Sequence, residues 1–149
     1  MNKQIKKLIL ASIIVLLPFS ALGCGKKEES KRKDIDFTVC DKTRMPEELI
    51  SIIEEKKLKT FKLTYVNNNY LYIAIGYGEH DRRNLNVVVN DLYMTDNAIY
   101  VDTSLTTTEQ LEEIASQTDA DIAGGEASMC PYIVLKCEKY ELPVIFDID

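Results

Sequence analysis

Two stretches of alternating side chains, each turned back on itself by a polar corner, constrain this chain more than any other feature. Phe61, Leu63 and Tyr65 alternate with Lys62 and Thr64, Asn67-Asn68-Asn69 supplies the corner, and Tyr70 to Ile75 returns. Successive strand residues point to opposite faces, so Leu71, Ile73 and Ile75 share one face and Tyr70, Tyr72 and Ala74 the other. Leu85 to Met94, a turn at Asp96-Asn97 and Ala98 to Leu105 repeat the pattern. Asp36 to Cys40 reads as a short first strand. Pro131 to Cys137 and Val144 to Ile148 read as the last two, joined by a turn near Glu141-Leu142-Pro143.

Helical spacing appears twice. Pro46 to Leu58 opens with a proline suited to a first turn, continues with Glu47 and Glu48, and closes on Lys56 and Lys57, matching the helix dipole. Leu49, Ile52, Ile53 and Leu58 supply its apolar stripe. Thr106 to Gln117 reads as a second, shorter helix, with Glu109 three residues after Thr106 as a capping box. Asp119 to Met129 contains Gly124-Gly125 and no period, which predicts a loop. The expected fold is therefore α+β, a mainly antiparallel β-sheet with one N-terminal amphipathic helix packed on one face and a short second helix.

The start of the chain has a different character. Lys3, Lys6 and Lys7 precede Leu8 to Leu17, an apolar run broken by Pro18, and small residues lead to Ala21-Leu22-Gly23-Cys24. A membrane-spanning helix needs about 20 apolar residues, so the run fits an export signal and not a span. A small residue just before a cysteine resembles the lipobox of bacterial lipoproteins. That resemblance implies a signal peptide over 1–23, a diacylated Cys24 as the mature N-terminus, and a place on the extracytoplasmic face of the cell membrane. Residues 25–35 carry five Lys and Arg against three Asp and Glu, a net of +2, with almost nothing apolar to bury. A disordered tether over 24–35, favoured by anionic headgroups, is the expectation.

From Asp36 to Asp149 the balance reverses, with ten Lys and Arg against twenty-one Asp and Glu, a net of −11. One domain of this length folds without staples. Its charge argues against a nucleic-acid partner, since phosphate contacts need clustered cations. Cys40, Cys130 and Cys137 remain after lipidation, an odd number, open to one bridge or to three buried thiols. His80 is the only histidine, in Gly78-Glu79-His80-Asp81, and a charged, exposed loop tip explains it. No zinc pair and no phosphate-binding glycine loop is present. Asp119 to Gly124 begins like a calcium loop but fails at Ala123 and Cys130. The sequence thus predicts no catalytic set, no metal site and no cofactor. Glu79, Asp81, Asp119, Asp121 and Glu126 support an alternative, a cation- or small-molecule-binding lipoprotein. Tyr65, Tyr70, Tyr72 and Tyr77 crowd one hairpin, and Gly76 and Gly78 allow a bend beside them. Tyrosine is enriched at protein interfaces, so Tyr70, Tyr72, Gly76, Tyr77 and Gly78 are the candidate partner-binding residues.

These segments resemble the C-terminal domain of the PrcB-like protease-complex subunit family. Leu71-Tyr72-Ile73-Ala74-Ile75-Gly76-Tyr77-Gly78-Glu79 carries the likeness most specifically, preceded by Pro46-Glu47-Glu48-Leu49 and Phe61-Lys62-Leu63-Thr64-Tyr65. Asp96 to Val101, Pro131 to Lys136 and Leu142 to Phe146 follow in the same order, so the likeness spans most of residues 36–147. The resemblance implies a non-catalytic lipoprotein subunit that accompanies a subtilisin-like protease on the bacterial surface. This chain differs from it at Asp81-Arg82-Arg83-Asn84-Leu85, and in a longer Thr106 to Met129 segment. Those loops are expected to be where a partner is read.

Overall fold

The computed structural model describes residues 32–117 and 122–148. In chain order these form β1 (Lys33–Asp34), β2 (Phe37–Val39), a 3-10 turn (Lys42–Arg44), α1 (Glu47–Lys56), β3 (Thr60–Asn67) and β4 (Tyr70–Tyr77). They continue with β5 (Leu85–Met94), β6 (Ile99–Thr107), α2 (Thr108–Gln117), β7 (Tyr132–Glu138) and β8 (Val144–Ile148). The expected signal peptide, Cys24 and the first part of the tether lie outside the described residues.

A strand apolar on both faces must be covered on both, and β4 shows how. Its Leu71, Ile73 and Ile75 enter one core with Ile133 and Leu135 of β7, Val87 and Leu92 of β5, and Ile99 and Val101 of β6. Its Tyr72 and Ala74 enter a second core with Leu49 and Ile53 of α1, Phe61 of β3 and Val134 of β7. The strands therefore make two four-stranded sheets, in the orders β1-β5-β6-β8 and β2-β7-β4-β3. The first core lies between them and the second between α1 and the outer face of the β4 sheet. The class is α+β and mainly antiparallel, as the alternation predicts, but one sheet has become two.

Three further features differ from expectation. β8 does not lie beside β7; it runs parallel to β6, pairing Ile99 with Val144 and Val101 with Phe146. The link between β7 and β8 crosses from one sheet to the other, with Tyr140 and Leu142 packed against the intersheet core and Ile99 N donating to Pro143 O at 2.9 Å. Residues 33–35, expected to belong to a tether, are part of the fold, because Lys33 and Asp34 pair with Met94 and Tyr93 and Ile35 is buried. Arg32 fixes this start: it bonds Asp91 at 2.7 Å and Asp34 at 3.3 Å, and lies 4.3 Å over the Tyr93 ring. That ring in turn stacks on Tyr100 at 5.0 Å. Leu58, expected in the helix stripe, is 60% exposed, since α1 closes when Lys57 N bonds Ile53 O at 2.8 Å.

The second helix begins one residue later than its Thr106–Glu109 signature suggested. Thr107 Oγ1 accepts from Gln110 N at 3.2 Å, and Gln110 Oε1 accepts from Thr107 N at 3.1 Å, a reciprocal capping box. Glu109 instead takes two bonds from the Asn84 amide, at 2.9 and 3.1 Å. Thr106 is left to bury its side chain on β6.

Two outcomes follow for stability. Ile73→Ala, at a fully buried position of the intersheet core, should lower unfolding free energy by about 2–5 kcal/mol in urea denaturation. Thr107→Ala should cost about 1 kcal/mol and raise amide exchange in the first turn of α2 while leaving β4 protected.

Candidate functional site

Strand directions divide the sandwich into two ends. The turns Asn68–Asn69 and Thr95–Ala98 and the 139–143 link share one end with β1. The other end gathers the 78–84 loop, the start of α2, the 122–131 loop and the link from β2 to α1. Here His80 N donates to Met129 O at 2.8 Å, lacing together the 78–84 and 122–131 loops.

A cleft of about 530 Å³ opens at this second end, between the Cys40–Met45 link and the 124–130 loop. The link is held by Asp41, which accepts from Thr43 N at 2.9 Å and from Arg44 Nε at 2.9 Å. The hydrogen bond from the Thr43 hydroxyl, with those from Arg44 and the Thr43 amide, keeps this carboxyl below the usual range. The facing loop lies along β5 through Val89 N to Ala123 O, Gly125 N to Val87 O and Ser128 N to Leu85 O, at 2.9–3.0 Å. A side chain at Gly125 would place its Cβ 2.8 Å from Tyr132 O, so the close approach requires glycine there.

Buried Cys40, Met45 and Ile133 give the cleft an apolar floor, while Lys42, Arg44 and Glu126 stand exposed at its rim. Glu54 accepts from Lys42 at 2.6 Å and from Lys57, and these two bonds hold its carboxyl below the ordinary range. Burial pushes the Tyr132 phenol up, with Lys42 pulling it down and Glu54 and Glu126 adding to the rise. A neutral hydroxyl thus sits among charges of both signs above an apolar floor. Ligand clefts run about 300–1,000 Å³ with few polar groups, so the size and lining suit a peptide segment or an amphipathic small molecule.

The tyrosine hairpin is arranged differently from its sequence reading. Tyr72 is 5% exposed, lies beneath α1 and meets the Tyr65 ring edge to face at 6.3 Å. Tyr65 in turn bonds Glu48 of α1. Tyr77 reaches across the sandwich and donates to Thr103 O at 2.7 Å. Gly76 is roofed by Phe61, whose Cε1 would lie 2.2 Å from an added Cβ. Gly78 takes φ +79°, the left-handed conformation that suits glycine, against the backbone of Thr60. These four residues pack the fold. Tyr70 alone of the five candidates is well exposed, with the Lys136 ammonium 3.8 Å from its ring centre, and it lines a neighbouring hollow that shares Cys40 and Arg44 with the cleft.

The other candidates separate as well. His80 is half-buried, not an exposed tip, and its Nε2 donates to Tyr77 O at 3.2 Å. Cys137 faces the intersheet core and Cys40 the α1 side, so one sheet stands between these two thiols; among the described residues Cys40, Cys130 and Cys137 are free. Glu126 joins the cleft rim, Glu79 and Asp81 occupy the 78–84 loop, and Asp119 and Asp121 lie outside the described residues. Among the described residues no three His, Cys, Asp or Glu side chains converge as a metal site. Sequence reasoning missed Lys42, Arg44, Met45 and Tyr132, because the cleft is built from two irregular segments that carry no period. The pair Gly124-Gly125 was the one available signal of close approach. No protein-family model, no curated protein and no solved structure matches this chain.

Thiol reactivity tests this placement. Burial pushes Cys137 up to about 11 and also raises Cys40. An aromatic disulfide reagent at pH 8 should therefore modify half-buried Cys130 first, since the thiolate is the reactive form. Cys40 and Cys137 should react on the unfolding timescale, and equal rates for all three would contradict the packing described.

Proposed function

We propose that this chain is a lipid-anchored protein of the bacterial surface whose domain acts as a non-catalytic protein-binding module. The partner we propose is an extracytoplasmic protease of the subtilisin type, for which the chain serves as an accessory or assembly subunit. The Cys24 leader supports the anchor, and the likeness of residues 36–147 to the PrcB-like domain supports the class of partner. The observation that carries the binding role is the cleft of about 530 Å³ with its apolar floor and exposed Lys42, Arg44 and Glu126. A tether in the same membrane raises effective concentration, so a modest interface suffices. The contact surface moves with the geometry: the rim of the cleft replaces Tyr72, Gly76, Tyr77 and Gly78, which are occupied in packing.

The same cleft supports a second reading, a small-molecule-binding lipoprotein, because its volume lies in the ligand range. The two readings separate by experiment. Membranes solubilised in mild detergent and purified through a C-terminal tag should yield a stoichiometric protease, lost from a Cys24→Ala strain. Reversing the rim with Glu126→Lys should abolish that capture without lowering thermal stability by more than a few degrees, as that side chain is exposed. A lone lipoprotein, stabilised by a soluble metabolite fraction, would instead support the second reading.

A further inference from the structure

A sheet can still grow wherever a strand edge is unpaired, and among the described residues the sandwich leaves one long edge open. β3 (Thr60–Asn67) ends the β2-β7-β4-β3 sheet, and no described strand or loop pairs with its outer side. The other borders are short or covered. β2 has three residues and β1 two. The edge of β5 is taken by Lys33 and Asp34 of β1 and by the 122–131 loop, through Val89 N, Gly125 N and Ser128 N. β8 has five residues and carries Asp147.

Apart from Lys62, β3 has none of the devices that blunt an edge. It contains no proline or glycine, and it pairs with β4 from Thr60 opposite Tyr77 to Asn67 opposite Tyr70 without a bulge. The Lys62 ammonium lies 6.0 Å from the Phe146 ring centre of β8, toward the facing sheet and not out along the edge. Hydrogen-bond direction follows from one contact. Tyr77 N donates to Pro131 O at 3.0 Å, so the odd-numbered residues of β4 bond β7 and the even-numbered ones bond β3. The even-numbered residues of β4 stand opposite Phe61, Leu63, Tyr65 and Asn67. Thr60, Lys62, Thr64 and Val66 therefore turn their N–H and C=O groups outward. Their side chains are exposed as well, Val66 at 49%.

We propose that this edge is a dimer interface, with β3 pairing antiparallel to β3 of a second copy about a two-fold axis at Thr64. Thr64 then faces its own counterpart, and Lys62 faces Val66 of the other copy. The outward groups supply about six hydrogen bonds in this register. Thr–Thr pairs are favourable across strands, and the two lysines do not meet. The aliphatic stem of Lys62 covers Val66, the most exposed apolar residue of the strand. Each copy offers one such edge among its described residues, so the assembly closes at two. The interface is independent of the cleft and of the partner proposed for it.

Disulfide trapping in the full chain tests this, with Thr64→Cys or Lys62→Cys added to a Cys130→Ser background, both sites being exposed. Opposed residues of a bonded pair lie about 5.5 Å apart at Cα, within disulfide range, whereas Lys62 and its counterpart are about 13 Å or more apart. Under mild oxidation, in native membranes and in mild detergent, position 64 should give several-fold more linked dimer than position 62. The Cys130→Ser parent should give none. Thr64→Pro should convert a sedimenting dimer to a monomer with Tm within a few degrees, because an edge strand tolerates proline where its N–H faces solvent. If that variant fails to fold, the trapping contrast decides. Comparable linking at both positions, or none at either, would overturn the interface. A chain that is monomeric by itself, yet loses capture of a protease on Thr64→Pro, would assign the edge to a partner's strand and overturn the second copy as its occupant.

Discussion

Burial of Leu71, Ile73 and Ile75 on one side of β4, and of Tyr72 and Ala74 on the other, obliges the molecule to supply two covers for one strand. The β5–β6 hairpin provides the first and α1 the second. Fully burying one such aliphatic side chain contributes about 1.5–3 kcal/mol, so the intersheet core outweighs any single surface ion pair, typically worth up to about 1 kcal/mol. Topology follows from that demand. The β7–β8 link must cross between sheets, because β8 is needed beside β6 where Val144 and Phe146 pack against the intersheet core.

Alternation carried most of the secondary structure. Both hairpins, the last two strands and α1 fall close to where period and turn chemistry put them, since each is specified by neighbouring residues. The number of sheets was not legible, because period two says which residues share a face and not what covers it. Lys33 and Asp34 offered no strand signal; they are ordered through Arg32, whose partner Asp91 is 59 residues away. The capping residue of α2 shifted by one because Thr106, Thr107 and Thr108 offer the same oxygen in succession, and tertiary burial of Thr106 chose among them.

The site was legible in the opposite sense. Tyrosines and glycines on one hairpin resemble an interface by composition, yet Phe61 over Gly76 and the Tyr77–Thr103 bond show the same residues closing the core. The surface left open comes from loops, Lys42 to Met45 and Gly124 to Cys130, where composition is unremarkable and position alone matters.

The central claim is that β4, covered on both faces, sits in a sandwich that holds the Thr95–Ala98 turn and the 78–84 loop at opposite ends. Pulsed electron paramagnetic resonance between spin labels at Asp96→Cys and Arg83→Cys, in a Cys130→Ser background, measures that separation directly. The β5 strand places these positions roughly 35–40 Å apart at ~3.3 Å per residue, in one narrow distribution. A distance below about 20 Å, or a broad distribution spanning both, would contradict the two-ended arrangement.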